Sequence, residues 1–148
     1  MGQECVLDTT VLQKANAPLL HEPGKHSLFR RRIRLLEQIN RGKLGILISK
    51  QLLDEYKRQV KEPRNDYVRA FFELLVSAGD SRCVWNYAAW TGQRREHARH
   101  CRFPKEDDHV LQTAIRSQPT TIFSEENRML RADACIYRRL RVHIRAPE

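Results

Sequence analysis

Residues 5–12 read Cys5-Val6-Leu7-Asp8-Thr9-Thr10-Val11-Leu12. A short apolar run ends on a carboxylate, two threonines follow, and apolar residues then recur at Val11, Leu12 and Ala15. The run is too short for a helix and is bounded by polar residues, so it predicts a buried strand; the later spacing predicts a helix. The chain repeats this grammar. Gly45-Ile46-Leu47-Ile48 predicts a second strand, and Ser49 caps a helix carrying Leu52, Leu53, Tyr56 and Val60, which Pro63 stops.

Between these units, Pro18 and Glu22-Pro23-Gly24 break the first helix. A basic helix follows from about Ser27 to Asn40, with Leu28, Ile33, Leu36 and Ile39 inward and Gly42 at its end. Further on, Asn65 to about Ala78 predicts a helix with Val68, Phe71, Phe72, Leu75 and Val76 inward. Cys83-Val84-Trp85 predicts a third strand. Thr91–Cys101 is polar, basic and without clear periodicity. A helix begins near Asp107 and carries Val110, Leu111, Ala114 and Ile115. A fourth strand covers Thr120–Phe123, one last helix holds Met129 and Leu130, and Arg141–Arg145 suits an edge strand. Strands alternating with helices predict an α/β fold, a three-layer αβα sandwich around a mostly parallel sheet, formed as one domain over residues 1–148.

Composition narrows the function. The 148 residues can bury roughly 68–70% of their unfolded surface, enough for a core. Charged residues make up 30% and hydrophobic ones 41%, which excludes an ordinary disordered tail. No apolar run approaches the ~18–20 residues of a membrane span, and MGQECVLD lacks a signal-peptide pattern. Four cysteines at irregular spacing form no disulfide framework and fit a reducing, cytoplasmic setting. The balance of 27 Lys+Arg against 18 Asp+Glu gives +9, which favours a polyanionic partner such as nucleic acid.

Against that charge, the placing of acids is informative. In parallel sheets, ligands gather at the carboxyl ends of strands. Asp8 stands at the end of the first strand, and Glu55 lies in the helix after the second. Asp107 and Asp108 open the helix before the fourth strand, and Glu125 and Glu126 follow Ser124 at that strand's end. Helical phase, at ~100° per residue, puts Asp107 on the stripe of Val110 and Leu111, with Asp108 about a right angle away. The same phase puts Glu126 on the stripe of Met129 and Leu130. Inward carboxylates are costly to bury singly, whereas several in one cleft can share a hard divalent cation, Mg²⁺ or Mn²⁺. The structural alternative is that these acids only favour helix dipoles.

The four acidic stretches, taken in order, resemble the PIN-domain family of metal-dependent ribonucleases. VLDTTVL (6–12) is similar to the family's opening strand and first aspartate, ISKQLLDEY (48–56) to its Ser-capped helix and glutamate, DDHVLQTA (107–114) to its third acidic motif, and IFSEENRML (122–130) to its fourth. The resemblance implies Asp8, Glu55, Asp107 and Glu126 as catalytic, metal-holding residues, with Thr9, Ser124 and Asp108 behind them. It implies RNA as substrate, a homodimer, and in many members an antitoxin or other protein partner. Thr10, Phe103, Glu126 and Arg128 depart from the family pattern, the last two most directly at the site. Those departures keep open a second reading, a PIN-fold RNA-binding or scaffolding module without strong catalysis.

Other signals are weaker. Arg30, Arg31, Arg32 and Arg34 form the densest basic run, and Arg94, Arg95 and Arg99 a second; both are candidate RNA contacts or solvated faces. His97, His100 and Cys101 are zinc-type ligands, but a second pair at proper spacing is missing. Trp85, Tyr87 and Trp90 suit a core or dimer interface better than base stacking.

Overall fold

A computed structural model describes residues 3–19, 27–77 and 79–148. Its centre is a five-stranded, wholly parallel sheet of β1 (Gln3–Leu7), β2 (Leu44–Ile48), β3 (Cys83–Trp85), β4 (Thr120–Phe123) and β5 (Val142–Arg145). The strand order is β3-β2-β1-β4-β5. The helices are α1 (Thr9–Ala15), α2 (Leu28–Asn40), α3 (Lys50–Gln59), α4 (Asp66–Val76), α5 (Gly92–His100), α6 (Asp108–Ala114), α7 (Asn127–Arg131) and α8 (Asp133–Leu140). Right-handed crossovers place α1–α4 on one face and α5–α8 on the other. The contacts of α2 with α1 and α4, and of α8 with α5 and α7, agree with that division. The expected three-layer sandwich is therefore present.

The strands are unbroken apolar runs because both faces of a parallel sheet are covered. Cys5, Val6, Leu7, Ile46, Leu47, Ile48 and Ile122 are all fully buried. Ser27, Ser49, Asn65 and Thr91 each accept a hydrogen bond from the backbone N–H three residues on, which fixes the start of α2, α3, α4 and α5. The chain reverses its direction of winding between β1 and β4. At such a switch point the loops leaving the strands diverge and open a crevice. Asp8 leaves β1 there, and Ser124 leaves β4.

Several expectations need correction. Leu28 and Val76 are exposed, while Leu35 and Leu74 are buried on α2 and α4. On α2 the stripe loses its first residue, Leu28, and widens to take in Leu35; on α4 it loses its last, Val76, and takes in Leu74. Thr91–Cys101 is largely helical. Its α5 buries only Ala98, so there was no apolar stripe to detect. The last helix is two, divided at Ala132. Cys101 and Cys135 are joined by a disulfide that ties the end of α5 to α8 across 34 residues, and Cys101 is therefore no zinc ligand. Only Cys5 and Cys83 are free. Trp85 and Tyr87 are exposed and do not belong to the core. The breaker Glu22-Pro23-Gly24 and the helix end at Ala78 lie outside the described residues. Among the described residues no helix is long and apolar enough to cross a membrane.

Tyr56 anchors α3 under the crevice. It is fully buried, and its hydroxyl donates to the Leu7 carbonyl at 2.5 Å, at the end of the central strand. Replacing it with phenylalanine leaves that carbonyl without its side-chain donor in an apolar setting. Tyr56→Phe is expected to lower stability by about 1–3 kcal/mol, measured by urea denaturation at constant m-value.

Candidate active site at the carboxyl edge of the sheet

The crevice is organised around Asp8, which is only 4% exposed. Its backbone N–H donates to the Phe123 carbonyl at 2.8 Å, so β1 and β4 hold its main chain. Its Oδ2 accepts from the Thr10 hydroxyl at 2.6 Å and from the Ser124 hydroxyl at 2.8 Å. Both hydroxyls are held in turn: the Glu125 N–H donates to Thr10 Oγ1, and the Glu126 N–H donates to Ser124 Oγ. Among the described residues no side chain donates to Asp8 Oδ1. Burial raises the Asp8 carboxyl above its ordinary range; the two hydroxyls partly offset this, and the charge of Glu55 adds to it.

Glu55 shows the same pattern. Its Oε2 accepts from Thr9 Oγ1 at 2.6 Å and meets His109 Nε2 at 3.2 Å. Burial would raise this carboxyl, but the His109 and Thr9 hydrogen bonds and the His109 charge outweigh it, and the net shift is downward. His109 is shifted upward: burial opposes its charged form, and Glu55, Asp107 and Asp8 more than compensate. Each carboxylate thus has one oxygen fixed by hydroxyl or imidazole groups, with the other left for a further partner.

Asp107 completes the group. It ends a 3₁₀ turn, Lys105–Asp107, and stands directly before α6. No hydrogen-bond donor reaches its carboxylate among the described residues. Burial and the charges of Asp8, Glu106 and Glu55 push it up to about 7, with His109 pulling the other way. Asp107 thus lies within the electrostatic reach of Asp8 and Glu55 at the carboxyl edge of the sheet. Their oxygens are hard donors suited to Mg²⁺ or Mn²⁺, and a cation is what would relieve their repulsion. No three His, Cys, Asp or Glu side chains among the described residues stand together as a ready-made metal site. The donor types therefore fit the cation, while the arrangement is not a closed cage.

The remaining expected residues are placed differently. Glu126 caps α7, accepting from the Met129 N–H at 3.0 Å, and pairs with Arg128 at 3.2 Å. It reaches Asp8 through its backbone and Ser124 rather than through its carboxylate. Asp108 is paired with Arg99. Glu125 forms a two-pronged pair with Arg32 at 2.6 and 2.7 Å. Arg32 and Arg99 are thus engaged internally. Arg30 and Arg31 are half-buried, and Arg34 and Arg95 are exposed. Arg94 donates to the Ala89 carbonyl. Phe103 is a core residue.

Sequence reasoning missed Thr10 and His109. Thr10 was treated as a departure, yet its hydroxyl is one of two that fix Asp8. The signal for His109 was its position directly after an acidic pair. Helical phase could not reveal it, because α6 is buried all round from His109 to Ala114 and its apolar residues mark no single inward face; Asp107 itself lies outside α6 (φ −109°, ψ 13°), where the 100° step does not apply. Comparison of the chain with protein-family models, curated proteins and solved structures finds no match in any of the three.

A carboxyl held near 7 in the folded chain and near 3.8 when unfolded binds more protons folded than unfolded between those values. Without a cation, Asp107 therefore costs folding nothing at low pH and progressively opposes it as pH rises from about 4 to about 7. In EDTA, Asp107→Asn is expected to raise the melting temperature at pH 8 and to change it little at pH 4.

Proposed function

We propose that this chain is a metal-dependent endoribonuclease of PIN-like design. The observation that carries the reading is the pair of fixed carboxylates at the switch point of the sheet, Asp8 held by Thr10 and Ser124 and Glu55 held by Thr9 and His109, with the charge of both felt at Asp107, in a chain of net charge +9. The motif resemblance adds the substrate class. Asp8, Glu55 and Asp107 would hold Mg²⁺ or Mn²⁺, with Glu126 supporting from the α7 cap. The bound cation would supply positive charge to a phosphodiester that gains negative charge in the transition state, and would make water a better nucleophile near neutral pH.

The chain's own groups do the positioning. Thr10 and Ser124 hold Asp8, and Thr9 and His109 hold Glu55, so that two carboxylates present fixed oxygens to one crevice. Arg128 spans Glu106 and Glu126 at the rim, more than half exposed, where a strand's phosphate can exchange for a carboxylate. Exposed arginines such as Arg95 would hold flanking phosphates.

The second reading, an RNA-binding module without strong catalysis, is favoured by the engagement of Glu126 with Arg128 rather than with the crevice. A cleavage assay on a short single-stranded RNA separates the two. The nuclease reading expects cleavage with Mg²⁺ or Mn²⁺ and none in EDTA. Asp8→Asn, Glu55→Gln and Asp107→Asn are expected to lose activity by about a hundredfold or more, and Ser124→Ala by about ten- to a hundredfold. Asp108→Asn, which breaks only the pair with Arg99, should keep most of it. RNA binding without metal-dependent cleavage by a folded sample would favour the module.

A further inference from the structure

A second charged feature lies at the other end of the sheet. Arg116 follows α6 just before β4, and Arg141 immediately precedes β5, so both sit at the amino edge, opposite Asp8. With Arg94, His97 and Arg139 they line a cavity of about 420 Å³ between α5 and α8. That size falls in the ~300–1,000 Å³ range of ligand sites. Ile115 and Leu140 add apolar surface, and among the described residues no carboxylate lines it. Glu4 meets Arg116 in a two-pronged pair at 3.0 and 3.2 Å, which a phosphate would have to displace. Arg139 is held on His97 Nδ1 at 3.1 Å, and the Arg141 guanidinium lies 5.6 Å from the centre of the Tyr137 ring.

Two features set this open groove apart from a solvated charge run. Its walls, α5 and α8, are cross-linked by the Cys101–Cys135 disulfide. Thr91 and Gln93 bring the start of α5 to the cavity, where first-turn N–H groups favour anions. From there α5 runs toward the carboxylates: Arg94 and His97 line the pocket, and Arg99, two residues before Cys101, pairs with Asp108 beside Asp107. Nine residues of helix span ~13 Å, and a strand of the sheet covers a similar distance.

We infer that this pocket is a phosphate-binding exosite that anchors a single strand of RNA, whose backbone then follows α5 to the carboxyl edge. The inference rests on the reading of the chain as RNA-cleaving. Arginine forks bind phosphate oxygens in pairs, and their charge releases counterions from the strand. A ribose or base of the anchored nucleotide can lie on Ile115 and Leu140.

Binding is measured on full-length Asp8→Asn protein in EDTA, so that the result does not depend on cleavage. A fluorescent single-stranded RNA is titrated across a salt series. Replacing Arg116, Arg139 and Arg141 together with alanine is expected to weaken binding by about tenfold or more and to lower the salt slope by about 2, at ~0.7 for each lost phosphate contact. Replacing Lys57, Lys61 and Arg69 with alanine removes the same charge from α3, its following loop and α4, and is expected to leave most of both. If the triple pocket variant does not fold, Arg139→Glu at an exposed position gives the same direction. Equal loss in both triple variants, or no loss in the pocket variant, overturns the exosite. A parallel titration with adenosine monophosphate identifies the source of the phosphate. Loss of nucleotide binding with RNA binding unchanged would assign the pocket to a free nucleotide and overturn the strand reading. Absence of metal-dependent cleavage in the unmutated protein would instead count against the nuclease, leaving this binding result intact.

Discussion

Two hydroxyl hydrogen bonds to Asp8 Oδ2 join the end of the central strand to the end of β4 and to the start of α1. A carboxylate buried this deeply is tolerated only when its oxygens are satisfied. Thr10 and Ser124 do this, and each is braced by a backbone N–H from the turn after β4. That single knot sets where the α1 and α7 ends stand relative to one another. It therefore sets the mouth of the crevice in which Glu55, His109 and Asp107 meet.

The surrounding ion pairs serve this geometry. Arg32 reaches from α2 to Glu125, and Arg99 from α5 to Asp108, so the acidic neighbours of Glu126 and Asp107 are neutralised by partners outside the crevice. Asp107 has no such partner among the described residues and stays in the field of Asp8 and Glu55. The division within each acidic pair is thus electrostatic as well as geometric. One member is spent on structure. The other is left at the crevice in the Asp107–Asp108 pair, and on the α7 cap in the Glu125–Glu126 pair.

Much of the fold was legible because a parallel sheet writes itself as short apolar runs followed by capped helices. Cys5–Leu7, Gly45–Ile48 and Thr120–Phe123 carry that signature, and so does the serine or asparagine before α2, α3 and α4. Asp8, Glu55 and Asp107 were legible because acids at strand ends stand out in a basic chain. What stayed hidden has specific causes. A helix that buries one alanine, as α5 does, has no periodicity to read. A disulfide between residues 34 apart leaves no local trace. The roles of Thr10 and His109 depend on which loops the topology brings together, and α6, buried all round from His109 to Ala114, has no single inward face to mark His109. The cap made by Glu126 follows from its place just before α7, where an inward phase and a capping position coincide.

The central claim is that the Asp8, Glu55 and Asp107 corner is a cation site whose metal-free form holds an extra proton near neutral pH. Calorimetric titration of Mn²⁺ at pH 7, repeated in two buffers of different ionisation enthalpy, tests it most directly. The account predicts saturable binding with net proton release, and loss of both in the Asp8→Asn protein. Absence of saturable binding, or binding that is unchanged in Asp8→Asn, would contradict it.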